Sequence, residues 1–182
     1  MGDYVMRPVV DQAGYIVDDV FAAMTHWQRH GGAGPFFLHR ISGDEGPGRS
    51  LYRGQPYRFQ GLIALSFVGD LQIELIQQTN DTASVYTETL KRCGPGFHHF
   101  KWRFDDYDAA CARFAEQGIA LAWEVEVPGI TRVAYWDMVA QLGHFIEMSD
   151  ASPAFAERTE EMRRTCAEWD GVTDPVREMA SF

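Results

Sequence analysis

The chain repeats itself. QAGYIVDDVFAAMTHWQRHGG, from Gln12, and HFKWRFDDYDAACARFAEQGI, from His99, share one pattern: a short alternating strand, an Asp-Asp pair, an Ala-Ala-containing amphipathic helix and a closing Gly. Further on, LQIEL (Leu71 to Leu75) matches HFIEM (His144 to Met148), with a Glu at the same strand position in each. Such repetition constrains the fold strongly, because each copy is one supersecondary unit that must bury its apolar face against its neighbour. Each copy also supplies one polar residue from a first strand and one from a last strand: Gln12 and Glu74, then His99 and Glu147. An amide, an imidazole and two carboxylates form a set suited to a divalent cation held where the halves meet.

The punctuation of the chain gives a layout. Val9 to Val17 reads as a strand, and Asp18 as the cap of a helix with apolar stripe Val20, Phe21, Met24 and Trp27, stopped at Gly31-Gly32. Phe36 to Ile41 reads as a strand, and Ser42 to Gly54 as a long polar loop within an insertion running to Gln60. Leu62 to Val68 and Leu71 to Gln77 form a hairpin around Gly69-Asp70. A helical patch at Val85 to Leu90 belongs to the connector between copies. The second copy follows with a strand at His98 to Phe104, a helix at Tyr107 to Gln117, and strands near Ala120 to Val127, Arg132 to Trp136 and Phe145 to Met148. An amphipathic helix, about 153–169, lies outside the repeat, and the tail beyond it is expected to be loosely held. The expected fold is α+β: two tandem βαβββ modules, about 9–80 and 97–150, within a single domain spanning 1–182. Their strands make a curved mixed sheet around a metal-binding cleft, with helices on the outer faces.

Strand parity says where the candidate ligands point, since successive side chains face opposite ways. Leu71, Ile73 and Leu75 share one face, and Gln72, Glu74, Ile76 and Gln78 the other. His144, Ile146 and Met148 stand opposite Phe145, Glu147 and Ser149. By the same rule His99, Lys101 and Arg103 share a face, while His98 falls with Phe100, Trp102 and Phe104 and is assigned to packing. Polar faces inside a sheet need a reason, because unpaired buried polar groups are costly, and a cleft holding a cation supplies one. Lys101 and Arg103 are candidates for meeting a substrate carboxylate or phosphate, or else counter-charges to Glu74 and Glu147. His26 and His30, at i and i+4, read as a solvated helix face, and the insertion, with Tyr52, Arg53, Tyr57 and Phe59, as an aromatic lid.

Composition excludes several classes. The formal net charge of -10 argues against nucleic acid and anionic membrane surfaces, which need a basic face. No stretch approaches the roughly 20 apolar residues of a membrane span, and MGDYVMRPVV has neither the basic leader nor the apolar run of a signal peptide. Three scattered cysteines, Cys93, Cys111 and Cys166, fit small core fillers in a reduced, cytoplasmic protein.

The repeated strands with Asp-Asp helices, the Gly96-Phe97-His98-His99 start and the Gly143-His144-Phe145-Ile146-Glu147 ending resemble the vicinal oxygen chelate superfamily over roughly Val9 to Ser149. That superfamily includes glyoxalase I, methylmalonyl-CoA epimerase, extradiol dioxygenases and bleomycin-resistance proteins. Gln, Glu, His and Glu in that order is similar to the ligand set of zinc-type glyoxalase I, while the length and spacing look more like the epimerase branch. The resemblance implies a divalent metal, zinc first, with nickel, cobalt, manganese or magnesium as alternatives, and a homodimer through paired edge strands. It implies Glu147 as general base with Glu74 as its partner, in proton transfer on a small substrate with adjacent oxygens, through an enediolate or enolate. An isomerase, epimerase or lyase follows; the alternatives are a non-catalytic drug-binding protein of the bleomycin-resistance type and an extradiol-type dioxygenase. Glutathione-type glyoxalase I carries arginines where this chain has Ile16 and Pro95, which argues against lactoylglutathione; the epimerases typically begin with His where this chain has Gln12.

Overall fold

The computed structural model describes residues 7–43 and 48–179. The segment MGDYVM, part of the expected leaderless N-terminus, lies outside the described residues, as do 44–47 of the insertion. The first copy supplies β1 (Val9–Ile16), α1 (Val20–His26), β2 (Phe36–Ile41), β5 (Gly61–Val68) and β6 (Leu71–Gln78). Between them the insertion forms β3 (Arg49–Tyr52) and β4 (Gln55–Pro56). The connector holds α2 (Val85–Cys93). The second copy supplies β7 (Gly96–Arg103), α3 (Tyr107–Glu116), β8 (Leu121–Val127), β9 (Thr131–Met138), the single turn α4 (Val139–Leu142) and β10 (His144–Ala151). The chain continues into α5 (Pro153–Ala167) and β11 (Val176–Glu178).

These strands form one mixed sheet in the order β11-β2-β5-β6-β1-β7-β10-β9-β8-β3-β4. The copies therefore stand side by side, each with its first strand innermost and its last strand next to it. β1 runs parallel to β6 and β7 parallel to β10, while β1 and β7 meet antiparallel at the seam. The second Asp of each Asp-Asp pair caps its helix. Asp19 accepts from the Phe21 and Ala22 amides, and Asp106 from that of Ala109. The cap of α1 is thus Asp19 rather than Asp18, and the helix runs through a wider turn over Trp27–Gly31 before stopping at left-handed Gly32.

Strand alternation sends the apolar set outward. Val20 and Met24 of α1 pack with Phe36, Leu38, Ile73 and Leu75, and Ala110 and Phe114 of α3 with Trp136, Ile146 and Met148. Each fully buried aliphatic side chain of this kind contributes roughly 1.5–3 kcal/mol. Phe21, expected in the stripe, is instead exposed.

Not every helix lies outside. α2, capped by a reciprocal Ser84–Thr87 box, buries Val85 and Tyr86 with Ile16, Ile76 and Phe145, the last of which shares its strand face with Glu147. The connector helix thus packs on the inner face. The insertion is only partly a loop: β3 pairs with β8, at the far side of the second copy, and Tyr57 and Phe59 join the cluster around Tyr86. Arg53 fastens it, bonding Glu88 of α2 and, at 2.8 Å, Asp137 of β9. The tail is not loose either, since β11 pairs with β2 and the Met179 amide donates to the Leu38 carbonyl at 2.9 Å. Cys93 is exposed, and Cys111 and Cys166 are half-buried and unpaired. Among the described residues no helix is long and apolar enough to cross a membrane.

Candidate metal centre

The seam between the copies sets the geometry. In the first copy Gln12 pairs with Gln72, two residues before Glu74; in the second His99 pairs with Phe145, two residues before Glu147. Across the seam Gly14, two residues after Gln12, faces His99, while Lys101, two residues after His99, faces Gln12. The offset is the same in both halves, so all four side chains project from the inner face onto one point.

That point is the Nε2 atom of His99. Glu147 Oε2 lies 3.1 Å from it, Glu74 Oε2 3.3 Å and Gln12 Oε1 3.4 Å. All four residues are buried, His99 completely. The expected cleft is therefore closed around the donors. Gln12 is oriented by its own amide, which donates to Gln72 Oε1 at 2.6 Å and turns Oε1 toward His99. Glu147 Oε2 also accepts from the Tyr135 hydroxyl at 2.6 Å.

His98 departs from strand parity. The β1–β7 register passes from Gly14–His99 to Tyr15–Phe97, so His98 is the extra residue of a bulge. Its ring therefore lies on the inner side, with Nδ1 2.9 Å from His99 Nδ1 and Nε2 3.3 Å from the Val85 carbonyl. It packs, as expected of it, yet among Tyr86, Tyr135 and Phe145 rather than with Trp102. A second irregularity, between Val10 and Gln12, frees Asp11. Asp11 holds Lys101 at 3.2 Å and Arg103 at 2.9 Å, so it is the direct counter-charge of both.

Burial by itself lowers an imidazole pKa. For His99 the close approach and negative charge of Glu147 and Glu74 outweigh it and hold the pKa at about 9. Burial would raise the Glu147 carboxyl, yet the bond and charge of His99, with the field of Lys101, keep it below the usual carboxylate range. Desolvation, then the charge of Glu147, pushes the Tyr135 phenol well above its ordinary value. Tyr135 therefore donates and does not ionise.

The donor set fits a divalent cation. Glu74 Oε2 is a buried carboxylate oxygen with no hydrogen bond, for its 3.3 Å approach to His99 lacks hydrogen-bond alignment. A buried anionic oxygen is costly unless something positive completes it. Separations of 3.1 to 3.4 Å match the edges of a polyhedron whose metal–ligand bonds are about 2.0–2.2 Å. Glu74, His99 and Glu147 form the one candidate group of acid, His or Cys ligands found among the described residues. His26 and His30 stack on each other, 4.8 Å between ring centroids, away from it.

One residue removed from the donors, behind Gln72 that bonds Gln12, lies a cavity of about 840 Å³, lined by Gln72, Lys101 and Ser149 of the sheet and by Phe155, Thr159 and Arg163 of α5. The opposite end is filled by α2 and the insertion. Sequence reasoning did not find Gln72, Tyr135 or Asp11; the signal for Gln72 was present, since it shares the polar face of Glu74.

Two like half-sheets with a mixed nitrogen and oxygen donor set at their seam define a chelate-type fold. Residues 11–142 match the Glyoxalase/Bleomycin resistance protein/Dioxygenase superfamily, and the chain belongs to it. The resemblance to vicinal oxygen chelate proteins is thereby borne out. A methylmalonyl-CoA epimerase from Mycobacterium tuberculosis shares the fold with TM-score 0.60 at 22% identity, over 86% of this chain and 96% of that one. A Streptomyces coelicolor methylmalonyl-CoA epimerase variant in complex with 2-nitronate-propionyl-CoA gives 0.60 at 15%, over 82% and 97%. A methylmalonyl-CoA epimerase in complex with methylmalonyl-CoA and NH4+ gives the same values. A search of curated proteins gives no match.

Proposed function

We propose that this chain is a metal-dependent proton-transfer enzyme, an isomerase or epimerase, acting on a small substrate with adjacent oxygens. The observation that carries this reading is the buried convergence of Gln12, Glu74 and Glu147 on His99 Nε2. A bound divalent ion, zinc first among the candidates, would act as a Lewis acid toward the paired oxygens and ease loss of the neighbouring proton.

The residues divide the remaining work. Gln12 and His99 have no acid–base task and serve as ligands. Glu147 and Glu74 are the two acid–base groups, their ligand atoms within 4.8 Å of each other. The Tyr135 bond holds Glu147 as an anion and occupies one oxygen, whereas Glu74 Oε2 has no hydrogen bond. This favours Glu74 as the carboxylate that takes the proton and Glu147 as its partner, the reverse of the order expected from sequence. A positioned base of this kind contributes about 10²–10⁴-fold. Lys101 sits at the cavity wall, already paired with Asp11, and serves to hold the remote part of the substrate with Arg103.

An extradiol-type oxygenase fits less well, because it needs two imidazoles and one carboxylate, and His98 turns its Nδ1 to His99 rather than to the donors. Unpaired thiols at Cys93, Cys111 and Cys166 support a reducing, cytoplasmic setting. Metal content of the purified protein and solvent deuterium incorporation test the function. Methylmalonyl-CoA, the ligand of one structural neighbour, is the first substrate to try. A stoichiometric redox-silent divalent ion with deuterium uptake at the carbon next to the carbonyl is expected; stoichiometric iron with oxygen consumption overturns the proposal.

A further inference from the structure

We propose that His98 is a positioning residue that decides which nitrogen of His99 is offered to the cation. This rests on the metal-centre reading above. The argument needs only hydrogen-bond valence. A backbone carbonyl only accepts, so the contact between His98 Nε2 and the Val85 carbonyl, at 3.3 Å, requires the proton on Nε2. The ring of His98 is fully buried among Tyr86, Tyr135 and Phe145, and its nitrogens face a carbonyl and an imidazole. Neither neighbour is an anion, so the ring is neutral and carries one proton.

With Nε2 protonated, Nδ1 of His98 is an acceptor. The nitrogen facing it at 2.9 Å, Nδ1 of His99, must then donate. A neutral His99 carrying its proton on Nδ1 presents a lone pair at Nε2, the atom approached by Gln12, Glu74 and Glu147. The opposite arrangement places a lone pair of His98 against the Val85 oxygen and a proton of His99 where the ion belongs. The chain of protons is anchored on α2, whose first turn is held by the Ser84–Thr87 box and whose Val85 carbonyl also accepts from Thr89 Oγ1 at 3.3 Å. The β7 bulge makes this possible by bringing two successive histidines to one face. Orientation of a metal-ligating imidazole through its second nitrogen commonly accounts for 10–100-fold in metal affinity.

The test uses the full chain, stripped of metal and titrated with zinc against a competing chelator, and nitrogen-15 NMR of the ring nitrogens. His98 is expected as the Nε2–H form with and without zinc, and zinc-loaded His99 with Nδ1–H and metal on Nε2. His98→Phe, which removes the acceptor, is expected to weaken zinc binding by about 10–100-fold. His98→Asn places an amide oxygen near the lost Nδ1 and is expected to remain within about threefold of the parent, inside the range that orientation alone commands. Should the Phe variant fail to fold, His98→Gln, whose amide reaches past that position, takes its place. A parent protein that takes up no zinc sinks the metal reading and this proposal with it. A parent that binds zinc while the Phe or Gln variant binds equally well, or a His98 spectrum showing Nδ1–H, overturns the positioning role alone.

Discussion

The imidazole of His99 occupies the space that a side chain at Gly14 would take. A Cβ built at Gly14 would lie 1.9 Å from His99 Cε1 and 2.4 Å from its Nδ1. Gly14 is also the backbone partner of both His99 and Glu74, one on each side. The missing side chain is thus the gap into which the donors converge.

Gly14→Ala is expected to displace His99 from its neighbours while leaving the sheet paired. Overpacking should cost about 1–3 kcal/mol in urea unfolding. Zinc affinity should fall by about two orders of magnitude, equivalent to about 2.8 kcal/mol. Wild-type zinc binding by this variant would contradict the placement of His99.

Tyr135→Phe removes one hydrogen bond, to Glu147 Oε2, and keeps the ring. A hydrogen bond to a charged group contributes about 1.5–3 kcal/mol. The metal-free variant should lose stability of that order. The acid limb of its pH–rate profile should move upward, because a carboxylate without its donor binds protons more readily.

Zinc uptake should depend on pH with a defined sign. In the metal-free protein His99 keeps its second proton up to about pH 9. Zinc must displace that proton, so apparent affinity should rise about tenfold per pH unit below about pH 9 and level off above it. Proton release measured by calorimetry in buffers of different ionisation enthalpy checks the count; a value near zero at neutral pH would be inconsistent with it.

Arg53→Ala should loosen the insertion before anything else. Arg53 joins Glu88 and Asp137 while 39% of its own side chain stays exposed. Solvent screening limits the global loss to about 1 kcal/mol. Amide exchange should accelerate first along Arg49–Tyr52, and exchange there at the parent rate would contradict the fastening role of Arg53.

The regular strands were legible and the irregular ones were not. Glu74 and Glu147 stand on β6 and β10, where pairing runs unbroken, so counting by twos finds the inner face. His98 and Asp11 sit at bulges, where one extra residue inverts the count and nothing in the local composition announces it. Gln72 and Tyr135 became site residues through long-range register, Gln72 opposite Gln12 and Tyr135 opposite Glu147. β3 and β11 are strands only because β8 and β2 offer edges to pair with; RSLY and VRE show no alternation of their own. Placing α2 inside rather than outside likewise required knowing that Tyr86 had Trp123 and Tyr135 to meet.

The tail strand and the insertion hairpin have a bearing on assembly. Among the described residues they cover β2 and β8, the outermost strands of the duplicated unit, and leave at the rims the three residues of β11 and the two of β4. Rims that short give a second copy little ladder to extend. A homodimer through paired edge strands, the arrangement the resemblance implies, would find little ladder at either margin.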